Sequence, residues 1–299
     1  MTDPALSVVV PVYNDPQGLQ ETLRSLTEQQ CSTARYEVLV VDNDSTDSTA
    51  DVIAAFKERY PEIVVGLSET AVQSSYAARN TGIEHARADI IAFVDADMTV
   101  EPTWVTDVRD TFEQSAVDYL GYEVELYLPD GERTIWGRYD LATGLPVEHY
   151  LRTKRFAPTC ALAVQATVFD DVGRFDESLV SGGDKEFGRR VHDAGFEMRF
   201  EAGITVRHPA RTTFEEHLQK ARRIGRGQVQ LWDRHGLAPH PLSPTRWLPP
   251  SPRRIESRHR DGEVTLVILY PVMYLLKLVQ TGSSVRAWLA SLNGTGPEL

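Results

Sequence analysis

Hydrophobic residues fall along the first hundred positions in four short runs: "LSVVV" at 6–10, "YEVLVV" at 36–41, "EIVVGL" at 62–67 and "DIIAFV" at 89–94. They are rich in β-branched residues and read as near-continuous apolar segments, the pattern of strands buried on both faces. Between them, "LQETLRSLTEQ" and "STADVIAAFKERY" repeat apolar residues at helical period. Strands alternating with helices predict a mostly parallel sheet flanked by helices, an α/β fold whose ligands bind beyond the carboxyl ends of the strands. Three of the four runs end in polar clusters: "PVYND", "DNDSTD" and "DADMT".

The second half is less regular. "DYLGYEVELYL" (118–128) alternates like an antiparallel strand and "TCALAVQ" (159–165) reads as another, with "PDGERTIWGRYDLATG" between them as a turn and connecting segment. "DKEFGRRVHDAGFEMRF" (184–200) predicts a helix leading through Gly195 into a strand, and a further helix runs from about Thr213 to His235. "GLAPHPLSPTRWLPPSPRR" is proline-rich and reads as a linker or a wrapping loop. The apolar stretch "VTLVILYPVMYLL" (264–276) is short of the ~20 residues a bilayer span takes, so a core or interfacial helix is expected.

At 299 residues and 41% apolar content the chain can fill a sizeable core. A net charge of −12 argues against a general nucleic-acid binder. Arg207, Arg211, Lys220, Arg222, Arg223 and Arg226 nonetheless form a basic island. The two cysteines, Cys31 and Cys160, stand in no metal-binding spacing, which fits a reducing compartment, and the start of the chain carries no signal-peptide pattern. A cytoplasmic protein is expected.

Asp95 and Asp97, at i and i+2 beyond a buried strand, can share a divalent cation if the backbone turns between them, and oxygen ligands suit Mg²⁺ or Mn²⁺ shared with phosphates. A helix cap beside a solvated Asp is the bland alternative. Asp42 stands at a second strand tip, where a nucleobase could donate to it. "PVYND" adds a proline-fixed turn and an aromatic ring, and "AARNTGI" adds Arg79 and Asn80. Together these form a nucleotide-shaped set.

The series "VVVPVYND", "VVDNDSTDST", "SSYAARNTGI", "FVDADM" and "FDESLVSGGDKEFGRRVHDAGF" resembles the family 2 glycosyltransferases of GT-A fold, in family order over roughly residues 5–235. The resemblance implies that Pro11, Val12, Tyr13, Asn14, Asp15, Asp42 and Arg79 bind a nucleotide-sugar, with a UDP-sugar the expected donor. It implies that Asp95, Ala96 and Asp97 are the Asp-x-Asp motif, Asp97 ligating Mn²⁺ or Mg²⁺ on the diphosphate and Asp95 reaching the ribose or a metal-bound water. Asp184 becomes the general base of an inverting transfer to an acceptor hydroxyl. Here the chain departs from the family, because Gly183 stands where a Glu precedes the Asp, and Glu186 lies two residues on. Late in such enzymes a His can complete the metal site, which makes His208 a ligand candidate beside its structural alternative. Arg222 and Arg226, with Arg223, are candidates for neutralising the departing diphosphate or, equally, for facing an anionic membrane surface.

The resemblance thus divides the chain into a glycosyltransferase domain over 1–236 (nucleotide-binding half about 1–100, acceptor half about 101–236), a linker over 237–262 and a helical segment over 263–299. The acceptor is a glycan, a lipid-linked species or a small molecule, in polysaccharide, glycolipid or protein-glycan assembly. Peripheral contact through 264–292 with the inner face of the cell membrane, with Tyr270, Tyr274 and Trp288 at the interface, is the accompanying alternative to a packed helix. Rival readings are a haloacid-dehalogenase-like phosphatase with Asp95 as nucleophile, whose motif belongs on the first strand rather than the fourth, and an inactive nucleotide-binding homologue. A nucleotidyltransferase lacks its glycine-rich triphosphate loop here.

Overall fold

The computed structural model describes residues 4–31, 36–129, 134–251 and 263–293. Residues 252–262 of the expected linker, and 294–299 beyond the last helix, lie outside the described residues. The chain divides into two compact units, the first comprising 1–125, 146–178 and 183–208, the second 126–145, 179–182 and 209–299.

The first unit is built on a sheet that opens with β1 (Leu6–Val12), β2 (Tyr36–Asp42), β3 (Val64–Ser68) and β4 (Ile90–Phe93). These pair in parallel in the order β3-β2-β1-β4, with Val12 opposite Asp42. The α/β expectation therefore holds, and the reason is visible in burial: every residue of β1 and β4 is buried, so neither face of those strands meets water. Helices α1 (Pro16–Thr27), α2 (Thr49–Arg59) and α3 (Ser75–His85) connect the strands. Further along come β5 (Thr99–Val100), α4 (Trp104–Gln114), β6 (Tyr119–Tyr127), β7 (Leu162–Gln165) and β8 (Met198–Pro209), and the full sheet order is β3-β2-β1-β4-β7-β6-β8-β5. β7 runs antiparallel to β4 and β6, and β5 antiparallel to β8. The stretch "TCALAVQ" is a strand only from Leu162 onward, because Thr159–Ala161 close a 3-10 turn.

The second unit contains α5 (Ile135–Thr143), α9 (Phe214–His235) and α10 (Glu263–Leu292), with α6 (Val147–Lys154), α7 (Ala166–Val172) and α8 (Gly183–Asp193) belonging to the first. The connecting segment expected over 129–144 is in part a helix. Thr134 caps α5 through Gly137 N–H at 3.1 Å, and Ala142 and Tyr139 pack with Leu269, Tyr270 and Met273 of α10. α9 opens with a capping box between Thr213 and Glu216 and meets α10 at Gly225, where an added Cβ would lie 2.4 Å from the Gln280 carbonyl. Ser284 Oγ donates to the Gly225 carbonyl at 2.8 Å across the same crossing.

Residues 237–251 wrap rather than link. Arg246 is buried, donating to the carbonyls of Pro239 (2.6 Å) and His240 (3.1 Å), to Gln228 and to Ser284 Oγ (3.2 Å). Tyr270, Tyr274 and Lys277 of α10 donate to the carbonyls of Pro250, Trp247 and Leu248. Among the described residues no helix is long and apolar enough to cross a membrane.

Candidate active site

The polar groups expected to meet a ligand stand at the carboxyl ends of β1, β2 and β4. Pro11 and Val12 are buried at the end of β1, while Tyr13 beyond it is 49% exposed. Asn14 takes a left-handed conformation (φ 50°), and its Oδ1 accepts from Thr46 N–H at 2.8 Å as its own N–H donates to Ser45 Oγ at 2.9 Å. Asp42 Oδ1 accepts from Ser45 N–H at 3.1 Å, so the β1 and β2 tips form one hydrogen-bonded rim. Asp15 is spent locally as the α1 N-cap, accepting from Gly18 N–H at 2.9 Å.

Asp95, Ala96 and Asp97 follow β4 after the single residue Val94. Asp95 Oδ1 lies 2.5 Å from Nη2 of Arg79, a guanidinium only 4% exposed and seated over the Tyr76 ring. Asp97 Oδ2 lies 3.8 Å from Nε2 of the buried His208. This proximity has a structural origin that spacing could not reveal: β5 begins two residues after Asp97 and pairs Thr99 with Arg207, carrying His208 alongside.

Asp184 is the second residue of α8, in the first turn, where unpaired N–H groups favour negative charge. Its Oδ1 accepts from Lys185 N–H at 2.8 Å. Gly182 before it has φ 89°, a conformation that favours glycine. The departure at Gly183 is steric in origin: its N–H donates to Tyr76 Oη at 2.9 Å, and an added Cβ would sit 2.8–2.9 Å from three atoms of that ring. Gly183→Ala is accordingly expected to cost about 1–3 kcal/mol by overpacking, read as a lowered urea midpoint with unchanged m-value. Glu186 is 5% exposed and engages Arg190 through both oxygens, at 2.7 and 2.9 Å, while Arg190 also donates to the carbonyls of Val172, Gly173 and Arg174. Its carboxylate is thereby a structural strut.

Behind these groups lies Cys160, 5% exposed. Burial first, and then the charges of Asp95, Asp97 and Asp184, push its thiol well above the ordinary value, while Arg79 pulls it down. Three carboxylates and a guanidinium thus act electrostatically on one buried thiol. Neither Cys160 nor Tyr76 was singled out from sequence; the only trace of Tyr76 was its i,i+3 spacing from Arg79, which puts both on one face of α3.

The match to known proteins agrees with this geometry. Residues 7–171 fit the family described as Glycosyl transferase family 2. The chain belongs to the family 2 glycosyltransferases. This glycosyltransferase is 39% identical to glycosyltransferase AglE of Haloferax volcanii over 231 residues, 77% of its own length and 75% of that protein's. It is 28% identical over 247 residues to a pre-mycofactocin glycosyltransferase of Mycobacterium tuberculosis, of which it spans about half (49%). Its fold is that of a mannosyltransferase from Pyrobaculum calidifontis solved with GDP-Man and Mn²⁺ (TM-score 0.63, 18% identity, 95% of this chain and 87% of that one). S. aureus TarS 1–349 in complex with UDP-GlcNAc shares the fold at TM-score 0.54 and 16% identity, covering 98% and 93%. The family selects sugar transfer over the phosphatase reading, and Asp95 of the glycosyltransferase is held by Arg79 rather than left as a nucleophile.

Arg222 and Arg226 belong to the second unit. They stand on α9, Arg222 exposed and Arg226 lining a cavity of about 230 Å³ with Val229, Trp232 and Trp288.

Proposed function

We propose that the protein is an inverting, metal-dependent hexosyltransferase that moves a sugar from a nucleoside-diphosphate sugar, with UDP as the expected nucleoside diphosphate, to an acceptor hydroxyl. The reading rests on one observation above others, the Asp-x-Asp pair beyond β4 whose Asp95 is held by the buried Arg79 at 2.5 Å and whose Asp97 lies 3.8 Å from the buried His208. Tyr13, Asn14 and Asp42 form the rim on which a base and ribose would rest. Asp184 takes the proton of the acceptor hydroxyl as its oxygen attacks the anomeric carbon, so that one bond forms while the bond to the diphosphate breaks. A single displacement of this kind inverts the anomeric centre and needs no covalent intermediate.

The donor set suits a hard divalent cation. Asp97 offers oxygen and His208 nitrogen, and among the described residues no three His, Cys, Asp or Glu side chains form a closed cage. Such an open pair leaves positions for phosphate oxygens and water, as Mg²⁺ and Mn²⁺ favour. When bound there, the ion would supply Lewis-acid stabilisation of the diphosphate leaving group. Arg79 fixes the carboxylate of Asp95.

Both nucleotide classes occur among the proteins of like fold, since one was solved with GDP-Man and another with UDP-GlcNAc. Incubation with UDP-, GDP- and dTDP-hexoses, with Mn²⁺ or with chelator, is expected to release nucleoside diphosphate from a UDP-hexose only when metal is present. Release unaffected by chelator would remove the metal roles of Asp97 and His208. Release from none of the sugars would leave a nucleotide-binding homologue without turnover.

A further inference from the structure

We propose that the outer face of the second unit, formed by α10 and the loop that wraps it, docks on a bilayer surface carrying anionic lipid. α10 is apolar on both sides. Its inner face buries Leu269, Met273 and Leu276, while its outer face presents Val267 at 73% exposure, Leu275 at 47%, Leu289 at 48% and Leu292 at 64%. At 100° per residue these four, with exposed Pro271 and Arg286, fall within one third of the helix circumference. A helix apolar all round belongs with a second apolar surface, and among the described residues only one of its faces has one.

The wrapping loop extends this face. Tyr274 and Lys277 hold the backbone carbonyls of Trp247 and Leu248 at 2.9 and 2.6 Å, and the two side chains so displayed are 46% and 58% exposed. The interfacial set is therefore not the one expected from sequence: the Tyr270 and Tyr274 hydroxyls are occupied by loop carbonyls, and Trp288 packs on His240. An exposed Trp beside aliphatic side chains is the composition of a membrane-interface anchor.

Charge names the occupant. The stretches of the second unit carry 15 Lys and Arg against 10 Asp and Glu, a net of +5, whereas those of the first carry 16 against 33, a net of −17. Arg222, Arg223 and Arg286 are exposed on α9 and α10. A protein of net −12 is repelled as a whole by an anionic surface, so a unit of opposite sign is the part that such a surface attracts. α10 lies on the surface rather than crossing it, because its inner face is packed on α5 and α9 and it is not apolar enough to span.

The full-length protein is to be sedimented with vesicles of phosphatidylcholine alone or with about 30% phosphatidylglycerol at low and high salt. Binding to the anionic vesicles is expected, weakened by salt and lowered about tenfold or more in Trp247→Ser/Leu248→Ser and in Leu275→Ser/Leu289→Ser. Circular dichroism and thermal melting verify that the variants fold. Absence of binding to anionic vesicles, equal binding to neutral ones, or equal binding by folded variants would each overturn the proposal. So would a concentration-dependent dimer of the free protein that the same substitutions dissolve, because a second copy would then cover the face. None of these readouts uses a sugar donor, so they stand or fall apart from the transfer assay.

Discussion

Asp184→Asn is expected to slow sugar transfer by about 10²–10⁴-fold while leaving nucleotide-sugar affinity unchanged. The substitution keeps the shape of the side chain in the first turn of α8 and removes only its capacity to take a proton. Glu186, the nearest alternative in sequence, cannot substitute, since both its oxygens are committed to Arg190, which in turn holds three carbonyls of the preceding loop. Single-turnover transfer measured beside calorimetric donor binding separates the two effects. Wild-type transfer by the variant would remove Asp184 from the chemistry, and a matching loss of donor affinity would make it a binding residue.

Asp140→Ala is expected to destabilise the second unit by about 3–5 kcal/mol, the cost of stranding buried partners. Asp140 is 2% exposed; its Oδ2 accepts Arg211 N–H at 2.9 Å, and its oxygens lie 3.5 and 3.6 Å from the charged nitrogens of Arg211 and Lys220. Burial alone would raise its carboxyl, but Lys220, the Arg211 N–H and the Arg211 guanidinium outweigh burial and hold it below the ordinary value. Lys220 is itself pushed down to about 8, by burial and by Arg211, with Asp140 opposing. Because the native carboxyl titrates below the unfolded one, its contribution is fully present above about pH 4 and is lost as pH falls through the native pKa. Urea unfolding of wild type and variant at pH 7 and near pH 3 should therefore show the gap closing in acid. A gap that stays constant or widens would contradict the pairing. Lys220→Met added to Asp140→Ala should recover part of the loss, as removal of the stranded charge requires.

What could be read from sequence was what local pattern fixes. The parallel strands were legible because continuous apolar runs of five or six residues have few other uses, and Asp42 and Asp95 stood out because polar residues interrupt those runs at the strand tips. α5 escaped because Gly137, Gly144 and the turn-like start of "PDGERTIWGRYDLATG" argue against a helix; what holds it is a cap from Thr134 and packing on α10, more than a hundred residues later. The nearness of His208 to Asp97 was suggested by the family resemblance alone and not by local pattern, since it depends on the two-residue strand β5 finding β8. Gly183 read as a weakened family motif, yet it is dictated by a tyrosine 107 residues away.

That tyrosine gives α3 a second task. Arg79 on this helix sets the position of Asp95, and Tyr76, one turn earlier, holds the backbone immediately before Asp184. The groups assigned to the leaving side and to the attacking side of the reaction are therefore gauged from one rigid rod, over a rise of about 4.5 Å. A shift of α3 along its axis would therefore carry the seat of Asp95 and the backbone before Asp184 together, with their spacing kept.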